Sequence, residues 1–219
     1  MNVLEHISTH WHSINEPARF VMRYAAAIRA YLCAFVGNEH DADEVAQEFL
    51  LRSLYRNFDQ YQIARGRFRD YLRAVVRNAA IDYLRRRKMP QASELDMENL
   101  ADRGESDWTA AWRACTLERV WQQLDEHQRN TPGNLYFTVL KTAVDHDDED
   151  SPHLAARVSQ QSGREFKPDA FRQQLSRARR KFAELLIAEI SQTLCDQSDG
   201  EVRDELAELG LLPYVEDLL

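Results

Sequence analysis

Arg69, Arg73 and Arg77 recur at every fourth position, and Arg85, Arg86, Arg87 and Lys88 close the same stretch. Guanidinium groups repeated at helical spacing make and break no bonds. They suit a row of phosphates along one edge of a helix. The same pattern also describes a solvated basic helix whose last-turn arginines complement the dipole. A second set, Lys167, Arg172, Gln173, Ser176, Arg177 and Arg180, adds Gln and Arg, two side chains that can hydrogen-bond bidentately to base edges. A third set, Asp41, Asp43, Glu44, Gln47 and Glu48, is polar and acidic. It suits a basic protein partner, or simply the first turn of a helix. The loop before the arginine row carries Tyr61, Arg65 and Arg67. An aromatic face there could hold an unstacked base and an arginine its phosphate, or the aromatics could only tie the loop down.

Other chemistry is poorly supplied. His6 and His10 could share a helix face, yet no further ligand follows at metal-binding spacing. Cys33, Cys115 and Cys195 are odd in number and far apart, so they read as small apolar residues rather than as a disulfide or metal framework. The acidic run 145–150 lacks EF-hand spacing and its glycine. No glycine-rich phosphate loop, nucleophile elbow or metal triad occurs, so neither catalysis, a cofactor nor a metal is expected.

Amphipathic helices must position these groups. In residues 66–88 the residues Phe68, Leu72, Val75, Val76, Ala79 and Tyr83 fall at steps of three and four, one stripe of a helix. Residues 16–36 form another helix, with Pro17 at its first turn and Gly37 and Asn38 ending it. Asp41 is expected to open the next, running to about Phe58. Residues 89–107 are acidic and weakly periodic and read as a linker with at most one short helix, 96–100. Helices follow over 108–128, 135–144 and 153–161, the last with Ser151 as N-cap. Pro168 then opens a long helix to about Leu194. A short helix, a turn holding Gly163, and a longer helix that begins with basic residues form a helix-turn-helix pattern. Residues 195–219 are an acidic tail expected to pack on the second domain, or to lie against its basic helix and weaken DNA binding.

The whole is an all-α chain of 219 residues, 44% apolar, with only 7 Gly and 6 Pro. Two helical domains are expected, 1–88 and 108–194, joined by the linker 89–107, the second domain containing the helix-turn-helix. The net charge is −8, but residues 52–88 carry eleven Lys or Arg against three Asp, a local +8. Residues 164–181 carry seven against two acids, a local +5. Two basic patches on an acidic protein suit two contacts with one polyanion. No apolar run is long enough for membrane insertion, and the first residues lack a signal-peptide layout, so a cytoplasmic location is expected.

In order and kind, three segments resemble the extracytoplasmic-function (ECF) group of the bacterial sigma-70 family. DADEVAQEFLLRSL (41–54) is similar to the family's polymerase-docking helix, with its Gln-Glu pair at Gln47 and Glu48. GRFRDYLRAVVRNAAIDYLRRRK (66–88) resembles the segment that melts and reads the −10 element, including Arg77-Asn78 and the close at Asp82, Arg85 and Arg86. FRQQLSRARRKFAELL (171–186) resembles the −35 recognition helix. The turn between Val158 and Phe171 is longer than the family's usual one, and the tail exceeds its two-domain plan.

The resemblance implies a sigma factor that binds core RNA polymerase and directs it to promoter DNA. Asp41, Asp43, Glu44, Gln47 and Glu48 would dock on polymerase. Tyr61, Arg65, Arg67, Arg69, Arg73, Arg77, Asn78, Arg85, Arg86, Arg87 and Lys88 would take the −10 element. Lys167, Arg172, Gln173, Ser176, Arg177 and Arg180 would take the −35 element. An anti-sigma factor masking the docking face would fit the family's usual logic. Two other readings stand beside it: a stand-alone helix-turn-helix regulator without polymerase docking, and a helical adaptor with no nucleic-acid role.

Overall fold

The computed structural model describes residues 17–55, 67–87, 94–194 and 197–218. Among the described residues every regular element is a helix: α1 Pro17–Val36, α2 Glu39–Tyr55, α3 Phe68–Arg86, α4 Glu94–Asn130, α5 Tyr136–Asp145, α6 Ser151–Ser162, α7 Pro168–Ser191 and α8 Asp199–Glu208. Short 3-10 turns follow at Leu212–Tyr214 and Glu216–Leu218. No helix among them is long and apolar enough to cross a membrane.

The chain forms two compact units, one of residues 1–115 with 191–205, the other of 116–190 with 206–219. The sequence reading set the boundary at 107/108, within what proves to be a continuous helix. Residues 94–107, expected as linker, are helical because no proline interrupts them and only Gly104 disfavours the helix. No proline lies between Pro90 and Pro132, and Glu, Leu, Met, Ala and Arg favour a helix even without an apolar stripe.

In the first unit, the stripe of α1 (Tyr24, Ala27, Ile28, Tyr31, Leu32, Phe35) is buried, as are Ala42, Val45, Ala46 and Phe49 of α2 and Phe68, Leu72, Val76 and Ala80 of α3. Trp108 and Trp112, four residues apart on one face of α4, complete this core. The Trp112 ring stacks on Tyr24 at 4.5 Å between centroids, and Trp108 meets Tyr31 edge-on at 5.6 Å. These two anchors assign the start of α4 to the first unit. Gly37, at φ 72°, ends α1, and the Asn38 side chain accepts from the Asp41 N–H at 3.1 Å. Asn38 therefore caps α2, which begins at Glu39, two residues ahead of the expected start, and the Asp41 carboxylate is left to reach elsewhere.

In the second unit, Val139 of α5, Leu154, Ala155 and Val158 of α6 and Phe171 of α7 make one cluster, with Leu135, Phe166 and Leu175 against it. Leu124 of α4, Leu140 and Ala178 make another, flanked by Trp121, Phe137 and Phe182. Asp150, rather than the expected Ser151, caps α6: it accepts from the His153 N–H at 3.2 Å and from the His153 ring at 2.7 Å. Two more members of the acidic run are paired: Glu149 takes Arg157 in a two-pronged ion pair and Asp145 takes Lys141 at 2.6 Å.

Gly163 ends α6 in the left-handed region, φ 66°, with nothing within 4 Å of where a Cβ would sit. Gly163→Ala is expected to cost about 1–2 kcal/mol, from backbone strain alone. Chemical denaturation followed by Trp121 fluorescence measures it, and an unchanged midpoint would contradict the left-handed turn.

Candidate nucleic-acid and polymerase interface

The arginine row of α3 is not one open ridge. Steps of four overshoot a 3.6-residue turn by about 40° each, so the three positions fan across the helix. Arg69 lies on the apolar stripe, three residues before Leu72 and seven before Val76, and is 3% exposed. Arg73 is partly covered and stands 3.8 Å from Asp70. Arg77 is half-buried, with its Nε covered. Asn78 and Arg85, seven residues apart on one face, are exposed. Tyr61, Arg65 and Lys88 lie outside the described residues, as do His6 and His10.

Carboxylates hold the remaining arginines. At the C-terminal end of α3, Arg86 donates to both oxygens of Glu48 on α2, at 3.1 and 2.8 Å. Arg87 pairs with Asp41 and, at 3.1 Å, with Glu44. Tyr83 lies between, donating to Glu44 at 2.7 Å and Asp41 at 3.0 Å, with the Arg87 guanidinium over its ring. Burial above all, then these two carboxylates, pushes the Tyr83 phenol well above its ordinary value. At the other end of α3, Arg69 Nε is 2.9 Å and an Arg67 nitrogen 3.4 Å from Glu205 of α8. Glu205 is wholly buried. Removing one partner of such a pair and stranding the other typically costs about 3–5 kcal/mol.

The acidic face of α2 is accordingly split. Asp41 is buried at 4% exposure and works as a staple to α3, so its side chain is not presented for docking. Asp43 is tied to Arg29 of α1 at 2.6 Å. Glu44 gives one oxygen to Tyr83 and Arg87, and Glu48 gives both to Arg86. Gln47 is exposed, and one turn further the apolar Leu51 is 55% exposed. Sequence reasoning passed over Leu51, although it sits at i+4 from Gln47, outside the buried stripe.

The Glu48 carboxyl is held below its usual 4.5, first by the hydrogen bonds from Arg86. A carboxylate lowered by folding contributes stability that is present above its unfolded value and lost as pH falls through its folded one. Stability is therefore expected to drop as pH falls below about 4.5. Glu149 and Asp150 titrate in the same sense, held down by Arg157 and His153. Urea midpoints of wild type and Glu48→Gln should converge in acid and separate near neutrality. Parallel curves would contradict the Arg86 pairing.

In the second unit the basic set stands open. Lys167, Arg172, Gln173, Ser176, Arg177 and Arg180 are all exposed, opposite the stripe Phe171, Ala178 and Leu186. Arg172 pairs with Asp169 and Arg180 lies 3.5 Å from Glu184, both local pairs on exposed helix. Gln173 and Arg177 have no partner among the described residues. The turn 163–167 that brings this face round is fixed by Ser159, whose hydroxyl accepts from the Phe166 N–H at 2.8 Å. At the far end of α7, buried Glu189 takes Arg119 at 2.7 Å and Gln123 at 2.9 Å, bracing α7 on the second half of α4.

Residues 20–89 match the family model for Sigma-70 region 2. The match covers about a third of the chain, and α2 and α3 fall within it. It supports a sigma factor of the sigma-70 family, a non-enzymatic class that acts in RNA polymerase binding and promoter recognition. No curated protein and no solved structure matches the chain.

Proposed function

We propose that this protein is a bacterial ECF-group sigma factor that binds core RNA polymerase and directs promoter-specific initiation through −10 and −35 elements. The observation that carries the reading is the region 2 match over the segment that holds both the acidic α2 face and basic α3. Polymerase docks on α2 around Gln47 and Leu51, with Glu44 and Glu48 at the flank. Asn78 and Arg85 are the open part of α3 for the −10 strand, and Arg73 and Arg77 stand beside them. Extruding a base costs a few kcal/mol, which phosphate pairing and stacking must offset.

The hairpin of α6 and α7 acts as a helix-turn-helix. Supporting this, all six candidate base and phosphate readers of the second unit are exposed, on or just ahead of α7. The protein works in the cytoplasm without a cofactor, and an anti-sigma factor fits the exposed Gln47–Leu51 face. The test is run-off transcription with purified bacterial core polymerase on a library of promoter fragments. Chain-dependent transcripts sharing a −35 and −10 pair are expected. Transcription that never depends on the chain overturns the reading.

A further inference from the structure

The acidic tail was expected to pack on the second domain or to lie against its basic helix; residues 206–219 do group with the second unit, whereas residues 191–205 group with the first, where the Glu205 carboxylate meets α3. Glu205 is 0% exposed, and Arg69 donates to it from Nη2 at 3.3 Å in addition to the Nε contact. Arg67, the residue ahead of α3, reaches the same group. A carboxylate held by two guanidiniums makes the charge-assisted contact that a phosphodiester would make. The segment carrying it is itself anionic: residues 197–208 hold Asp199, Glu201, Asp204, Glu205 and Glu208 against Arg203 alone. Arg69, which also donates to Thr109 of α4 at 3.4 Å, keeps 4% of its side chain exposed, and Arg67 keeps 19%.

We propose that Glu205 is an internal phosphate mimic, and that promoter DNA competes with the C-terminal segment for Arg67 and Arg69. The inference rests on reading α3 as the −10 helix. With the segment seated, the chain grips DNA through Asn78, Arg85 and their neighbours only. When α8 yields, two further guanidiniums become phosphate ligands at the start of the helix. A partner that draws α8 away strengthens the grip, and one that holds it seated weakens it.

The test uses holoenzyme reconstituted from the full chain and a promoter fragment recovered in the transcription assay. Glu205→Gln keeps the size of the side chain and one acceptor oxygen, and replaces the other oxygen and the charge by a neutral amide donor. It is expected to tighten DNA binding about tenfold at moderate salt and to steepen the slope of log affinity against log salt by about one to two, as two phosphate contacts require. Unchanged affinity and slope in a folded variant overturn the competition. Because the substitution strands buried Arg69, wild-type holoenzyme supplies the second readout. Amide hydrogen exchange over 199–205 should rise when the promoter fragment is added, and unchanged protection overturns the proposal even if the variant does not fold. A wild-type chain that recruits polymerase to no promoter fails the sigma reading itself and takes this inference with it. A transcribing holoenzyme with neither response fails the inference alone.

Discussion

Replacing Gln173 and Arg177 together by Ala is expected to lower transcription from a −35-dependent promoter by at least about thirtyfold. Both side chains are exposed on α7, and neither has an intramolecular partner among the described residues. Their loss should leave the fold within about 0.5 kcal/mol of wild type, as for surface positions in general. Each bidentate base contact is worth about 1–3 kcal/mol of discrimination, so two lost contacts account for the fall. Specificity should relax at the −35 positions alone, read as a flattened preference when those base pairs are varied one at a time. Arg172→Ala offers a contrast. Its pairing with Asp169 and its place early in α7, just past the first turn, suit a phosphate, so its loss should weaken all promoters alike and reduce the salt slope by about one. Full activity of the Gln173/Arg177 double variant would remove α7 from the −35 groove.

Trp112→Ala is expected to destabilise the first unit by about 3–5 kcal/mol, the range for deleting a large buried aromatic. The indole is 1% exposed, stacked on Tyr24 and close to Phe68 and Trp108. Stabilities of small domains run at about 5–15 kcal/mol, so this one change takes a large share. Urea denaturation monitored by far-UV circular dichroism measures it. A loss below about 1 kcal/mol would mean that the start of α4 does not belong to the first core. It would then return residues 94–107 to the role of linker.

The apolar stripes made most of the helices legible. Residues 24 to 35, 68 to 84 and 171 to 190 keep helical spacing without interruption, and burial follows that spacing. Turn chemistry was also readable at Gly37 and Gly163, where only a left-handed residue continues the chain. The start of α4 was missed because polar helix formers leave no periodic signal and Gly104 reads as a break, and only the absence of a proline between Pro90 and Pro132 betrays it.

At the candidate site, residue type was legible and partnership was not. Arg69 has the chemistry of a phosphate ligand, but its register with Leu72 and Val76 places it in the core. Glu205 carried the complementary signal, an acid three residues after Val202 and four before Leu209 on an apolar stripe. Nothing in either segment says that the two meet across 136 residues. The same holds for Asp41, Glu44 and Glu48 against Arg86 and Arg87. Each set reads as a surface for an outside partner, and in the fold the sets neutralise one another.

The most direct test of the central claim is co-purification with core RNA polymerase, wild type beside Gln47→Arg/Leu51→Asp. Both positions are exposed on α2, so the double change should leave the fold intact, as matched thermal melts would verify. Wild type should be retained with polymerase in stoichiometric amount, and the double variant should lose at least about tenfold in affinity, or roughly 1.4 kcal/mol. A folded wild-type chain that is not retained, or a variant retained as well as wild type, would contradict polymerase docking through α2.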